Sequence, residues 1–181
     1  MKIEKENEDT TRGYLQVYTG NGKGKTTAAI GLTIRAVGAG KRVFFAQFVK
    51  GMIYSEVKVL QGLAPAVTIK QYGLECFIHK APTPADVEAA RNGLLKVKQI
   101  IESGNYDMVV LDEANIALYY QLFSLDEFLE ILKNKPSATE IIITGRYAPG
   151  ALIDMADLVS EMKEIKHYYS TGVSAREGVE F

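Results

Sequence analysis

The sequence predicts an α/β fold of three layers, with a mostly parallel central sheet covered by helices on both faces. Three observations carry that expectation. Strand-like and helix-like segments alternate from Tyr14 onward. The strand-like segments are nearly all apolar, as strands buried on both faces must be. Between the first strand and the first helix stands YTGNGKGKTT (18–27), which sets Gly20, Gly22 and Gly24 beside Lys23 and Lys25.

The elements follow in order. YLQVYT (14–19) is short, apolar and β-prone, and the glycine turn comes directly after it. TTAAIGLTIRAVGAG then reads as a helix with Ile30, Ile34 and Val37 on its apolar face, closed by Gly38 and Gly40. RVFFAQFV (42–49) is the second strand, a short helix lies around Glu56–Leu63, and AVTIKQYG (66–73) is the third strand. TPADVEAARNGLLKVKQIIESG carries the clearest helix signal. Thr83 caps it, Pro84 suits its first turn, Asp86 completes a capping box, and Gly104 closes it. Its apolar stripe is Val87, Ala90, Leu94, Val97 and Ile101. YDMVVLDE (106–113) is a buried strand ending in two acids. Ser124 and Glu127 form a second capping box before Phe128, Leu129, Ile131 and Leu132, and Pro136 ends that helix. TEIIITG (139–145) and DLVSEMK (157–163) supply the last strands.

Length and composition bound the function. The 181 residues suit one domain over 13–181, preceded by a polar arm, residues 1–12, that cannot bury a face alone and is expected to be mobile. A net charge of −1 argues against broad nucleic-acid or anionic-membrane binding. One cysteine, Cys76, excludes an internal disulfide and a cysteine-based zinc site. No signal-peptide or membrane-spanning stretch is legible, so a cytoplasmic location is expected.

In parallel sheets ligands gather beyond the carboxyl ends of the strands. The glycine turn, Asp112–Glu113 and Thr144-Gly145-Arg146 all fall at such ends. Successive N–H groups in the turn and the dipole of the helix after it suit a polyphosphate. The pattern approaches that of a nucleotide-binding P-loop, in which glycine, four residues and then Gly-Lys-Ser/Thr are required. Gly24-Lys25-Thr26 fits, whereas Thr19 stands where the first glycine belongs and Gly20 comes one place late. Lys25 would neutralise phosphate oxygens, Thr26 would ligate Mg²⁺ through its hydroxyl, and Asn21 and Lys23 would reach further oxygens. Either Asp112 or Glu113 suits the metal, with the other orienting a water. Arg146 could contact phosphate or make a salt bridge, and Arg35 could reach the sugar or base. The fold class is therefore P-loop NTPase-like, with ATP favoured over GTP because NKPS (134–137) lacks a guanine-reading aspartate. From these residues alone a group transferase, an ATP-dependent switch and a kinase all stay open.

The longer pattern is more specific. GNGKGKTT, QF-KG after the next strand, YDMVVLDEANIALYY, IIITGRYAP, and a carboxyl end with KH and GxxAREGxEF resemble the bacterial ATP:cob(I)alamin (corrinoid) adenosyltransferases from about Gly13 to Phe181. The resemblance implies transfer of the 5′-deoxyadenosyl group of ATP to the Co(I) of a reduced corrinoid, with triphosphate released. It implies that Gly20, Asn21, Gly22, Lys23, Gly24, Lys25, Thr26 and Thr27 hold the phosphates, that Arg35 contacts the nucleotide, and that Thr26 and Glu113 ligate Mg²⁺. Lys25, Thr26 and Glu113 are then the catalytic residues. It further implies an aromatic residue below the corrin ring, for which Phe77 is the match; the next family position falls on Ile78 or His79, and the chain has no tryptophan. A homodimer, a reduced flavoprotein as electron donor, and an arm 1–12 folding over the corrinoid belong to the same implication.

Overall fold

The computed structural model describes residues 12–52, 54–74 and 81–180. Among them six strands form one sheet: β1 (Leu15–Thr19), β2 (Val43–Phe48), β3 (Val67–Tyr72), β4 (Met108–Asp112), β5 (Glu140–Thr144) and β6 (Leu158–Glu161). Their order across the sheet is β3-β2-β4-β5-β1-β6, and every neighbouring pair is parallel. The sheet is thus wholly parallel, one step beyond the mostly parallel expectation. The fold is a three-layer P-loop NTPase-like α/β architecture.

Side chains alternate across the central strands. Phe44, Phe48, Val109, Leu111, Ile141 and Ile143 point to one face. That face is covered by α3 (Pro84–Ser103), α4 (Ala114–Tyr119), α5 (Leu125–Lys133) and α6 (Gly150–Met155). Val43, Phe45, Val110 and Ile142 point to the other, under α1 (Lys25–Gly38) and α2 (Ser55–Gly62). The wholly apolar runs seen in the sequence are the direct result of this double cover.

The caps of α3 form as expected. Thr83 Oγ1 accepts from the Asp86 N–H, and the Thr83 N–H donates to Asp86 Oδ2 at 2.8 Å. At α5 only half of the expected box is made: the Glu127 N–H donates to Ser124 Oγ, and no return bond from the Glu127 side chain accompanies it.

The apolar face of α1 differs from the expectation. Its buried residues are Lys25, Ala29, Thr33 and Ala36, while Ile34 is 53% exposed. Small side chains let the helix lie close on the sheet, with Ile30 and Val37 packing at its flanks. The Thr33 hydroxyl donates to the Ala29 carbonyl, which satisfies it in this dry position. The two six-residue helices α4 and α6 and a short 3₁₀ turn at Tyr168–Thr171 were not legible in the sequence.

Candidate functional site

The glycine turn joins β1 to α1, which then crosses over β5 and β4 to reach β2. That crossover brings the first turn of α1 above the end of β4, although β5 separates β4 from β1. Gly24 precedes the helix with φ of 119°, a left-handed backbone that glycine adopts without steric cost. Gly22 is required for space: a Cβ there would lie 2.7 Å from the Met162 carbonyl oxygen, to which the Gly22 N–H donates at 2.6 Å. The off-pattern Thr19 also has a task, since its hydroxyl accepts from the Ala148 N–H and ties the turn to the loop after β5.

Lys25 is buried, and its ammonium donates to the carbonyl oxygens of Gly20 and Gly22 at 2.7 Å each. It folds back across the turn and clamps it. Burial lowers its pKa, opposed mainly by the carboxylate of Glu113. Lys23 does not project freely from the turn. Its ammonium is held by the carboxyl-terminal tail, donating to the Val179 carbonyl at 2.7 Å, Glu180 Oε1 at 2.8 Å and the Tyr168 hydroxyl at 3.2 Å. The Tyr168 hydroxyl also donates to Glu180, and Arg176 pairs with the same carboxylate. Bonds from Lys23, Tyr168 and Arg176 hold Glu180 far below the usual carboxylate range.

Asp112, the last residue of β4, is fully buried and accepts from four side chains. The hydroxyls of Thr26 and Thr144 donate to its Oδ1 at 2.8 and 2.7 Å. Lys50 Nζ and Gln47 Nε2 donate to its Oδ2 at 3.0 and 3.3 Å. Burial works against the charge, but Lys50 and the hydroxyl donors outweigh it, and the Asp112 pKa is lowered. The adjacent Glu113 behaves oppositely. Burial and the neighbouring Asp112 charge raise its pKa, partly offset by Lys50, Lys25 and Arg146. Its carboxyl group lines the cavity and accepts no hydrogen bond from a described residue, while its N–H donates to Thr144 Oγ1 at 3.0 Å.

Lys23, Lys25, Thr26, Lys50, Glu113 and Glu180 of these groups line a cavity of about 720 Å³. Gly22, Lys23, Gly24, Lys25, Thr26 and Thr27 line it together with Glu113 and Arg146. The lining also has an aromatic pair: Tyr119 and Tyr147 pack at 4.4 Å between ring centroids, both more than half exposed. His167, Gly178, Val179 and Glu180 also line it. Among the described residues four non-glycine residues have positive φ, and three of them, Val49, Glu113 and Tyr147, border this cavity. Strain of this kind gathers where side chains are aimed at a ligand.

Of the residues expected from the sequence, Lys23, Lys25, Thr26, Thr27, Glu113 and Arg146 come together, with Asp112 directly behind them. Asn21 is exposed outside the cavity wall, and Gly20 contributes a carbonyl to Lys25. Arg35 is not brought there. It lies exposed in the last turn of α1, about 15 Å along the axis from Lys25, where its charge acts on Tyr18. Phe77, with Cys76, Ile78 and His79, lies outside the described residues, as do positions 1–11 of the arm. Lys50, Gln47, Tyr119 and Tyr147 are not reached by the sequence reading, whereas Thr144 belongs to the Thr144-Gly145-Arg146 stretch placed at a strand end. QF-KG, ITGR and ALYY were the available signals.

The oxygen donors suit a hard divalent cation. Thr26 keeps an accepting oxygen while its proton is committed to Asp112, and the Glu113 carboxyl group has free acceptors. Asp112, saturated by four donors, would act on such an ion through Thr26.

The sequence model of the ATP:corrinoid adenosyltransferase BtuR/CobO/CobP family matches residues 11–181. The chain belongs to that family. It is similar to the corrinoid adenosyltransferase CobA of Salmonella typhimurium, 37% identical over 173 residues that span 94% of this chain and 86% of that one. A corrinoid adenosyltransferase of Sinorhizobium sp is 38% identical over 173 residues, 94% of this chain and 81% of the relative. The chain is thus a transferase by kinship, as the sequence resemblance implied. Among solved structures, the flagellar accessory protein FlaH from Methanocaldococcus jannaschii superimposes with a TM-score of 0.58 at 14% identity, covering 83% of this chain and 71% of that one. That likeness bears on the fold alone. No helix among the described residues is long and apolar enough to cross a membrane.

Proposed function

We propose that this chain transfers the 5′-deoxyadenosyl group of ATP to the cobalt of a reduced corrinoid and releases triphosphate. The observation that supports the reading is a single cavity lined by both a cationic glycine turn and an exposed tyrosine pair. In the reaction the Co(I) electron pair forms the bond to C5′, the C5′–O bond breaks, and its electrons leave on the triphosphate oxygen. Catalysis then consists of alignment and of neutralising the charge that gathers on the leaving group.

Each residue has a task on this reading. The turn's amides and the amino end of α1 hold the triphosphate, and Lys25 keeps the turn closed while adding charge from beneath. Thr26 and Glu113 would hold Mg²⁺, which supplies charge neutralisation on the phosphate oxygens. Asp112 fixes the Thr26 hydroxyl so that its lone pair faces the cavity. Arg146 lies on the cavity wall within reach of an anion. The flat faces of Tyr119 and Tyr147 suit a conjugated ring. Resting on the family resemblance alone, the reading extends to a cytoplasmic homodimer of one domain, to Phe77 on the corrinoid side, and to a reduced flavoprotein as donor, in synthesis or salvage of the adenosylated cofactor.

The test is product analysis under strong reductant. Loss of the Co(I) absorbance with stoichiometric triphosphate is the expected result. ADP with phosphate would indicate a switch, ADP with a phosphorylated acceptor a kinase, and either would overturn the assignment.

A further inference from the structure

The carboxyl end of the sheet already holds a cation. Lys50 is the second residue past β2, and Val49 before it adopts φ of 60°. A β-branched residue is among the least tolerant of that left-handed backbone, so the bend is imposed by its surroundings. It turns Lys50 back over the strand ends. There the ammonium donates to Asp112 Oδ2 at 3.0 Å and to Thr26 Oγ1 at 3.3 Å, with its side chain only 12% exposed.

Thr26 is the hydroxyl that a divalent ion would use, and its geometry restricts what else can approach. Its single proton is committed to Asp112 Oδ1 at 2.8 Å. The oxygen's remaining capacity is as an acceptor, and Lys50 occupies part of it. A metal at its bonding distance of ~2.1 Å from Thr26 and an ammonium on the same oxygen would be like charges in near contact. Both also draw on the same negative charge, Asp112, with Glu113 beside it.

We propose that Lys50 is the resident cation of the metal seat: its ammonium holds Thr26 and Asp112 until a divalent ion takes the hydroxyl, and it then moves onto the anion in the cavity. The exchange keeps the buried Asp112 charge compensated in both states. It also gives the triphosphate a counter-charge from β2 in addition to that from the turn. This rests on the reading of Thr26 as a metal ligand and not on the transfer reaction.

The test uses the full chain without nucleotide or corrinoid, with Mn²⁺ as the spectroscopic probe and free Mn²⁺ measured by electron paramagnetic resonance. Lys50→Gln retains an N–H donor for Asp112 and removes the competing charge. Mn²⁺ should bind this variant about tenfold or more tighter than wild type, because near-contact like-charge repulsion is lost. Adding Asp112→Asn should cancel most of that gain. Equal or weaker Mn²⁺ binding by Lys50→Gln overturns the proposal, as does a gain that survives Asp112→Asn. Should Lys50→Gln fail to fold, wild-type protein decides by site-resolved amine acylation. Lys50 should react several-fold faster at saturating Mn²⁺ than without metal, as an ammonium freed from its ion pair would; an unchanged rate overturns the exchange. Failure in either arm leaves the triphosphate assay standing, since neither contains the reaction's substrates.

Discussion

Replacing Asp112 by asparagine keeps the side chain's shape and removes its charge. The native carboxylate is fully buried and accepts from Thr26, Thr144, Gln47 and Lys50. An amide offers one acceptor oxygen and two N–H donors, so part of that set would face donor against donor. The two threonine hydroxyls can rotate away, but Lys50 is left with little solvent and with the non-bonded carboxyl group of Glu113 as its nearest counter-charge. Breaking a buried pair from one side costs roughly 3–5 kcal/mol, and we expect about 4 kcal/mol here. For a chain of this size that lowers Tm by ~8–16 °C. Urea denaturation of wild type, Asp112→Asn and Asp112→Asn/Lys50→Met measures it. The double variant should regain about half of the loss or more, since apolar replacement of a buried pair is often neutral. The pH dependence has a defined sign. Although burial opposes it, the folded-state pKa of Asp112 is depressed below 3.8, so its contribution is fully present above 3.8 and is lost as pH falls through the lower folded value. A loss below about 1 kcal/mol for the single variant, or a double variant no more stable than the single, would refute the ionised pair.

Three further outcomes follow from the site. Lys25→Ala removes both the clamp on Gly20 and Gly22 and a charge beneath the phosphates, and triphosphate formation should fall by about 10²–10³-fold in steady-state assays. Gly22→Ala puts a methyl group 2.7 Å from the Met162 oxygen, so the turn or the end of β6 must shift; calorimetry should show ATP binding weakened by about tenfold or more, with ~1–3 kcal/mol of stability lost. Burial and Asp112 raise the Glu113 pKa above 4.5, so its neutral form persists to higher pH than that of an ordinary glutamate. Divalent-ion-dependent nucleotide binding should therefore fade, as pH drops, at a midpoint above 4.5, and Glu113→Gln should abolish that step in a pH titration.

The sequence disclosed the parts of this fold that obey a period or carry a cap. The doubly buried strands, α3 with its full capping box, and the turn ahead of α1 all follow from local rules. The buried side of α1 did not, because Ala29, Thr33 and Ala36 are chosen for closeness to the sheet rather than for hydrophobicity, and the bulkier Ile34 is left outside. α4 and α6, at six residues each, are too short to display a helical period. Lys50 was hidden for a different reason: a valine gives no sign that its backbone will turn left-handed and aim the next residue at Asp112. The capture of Lys23 by Glu180, 157 positions away, depends on where the tail comes to rest, which no local pattern encodes.

The position of β1 has a consequence for biogenesis. Among the described residues its sheet neighbours are β5 and β6, so residues 15–19 find no hydrogen-bonded strand there until residues 140 and beyond have been made. The Met162 carbonyl that receives the Gly22 N–H comes later still. A chain growing from its amino end can therefore assemble β2, β3 and β4 on the ribosome while its glycine turn stays unformed. Such late, distant pairing slows folding, and it delays completion of the glycine turn until residue 162 has been made.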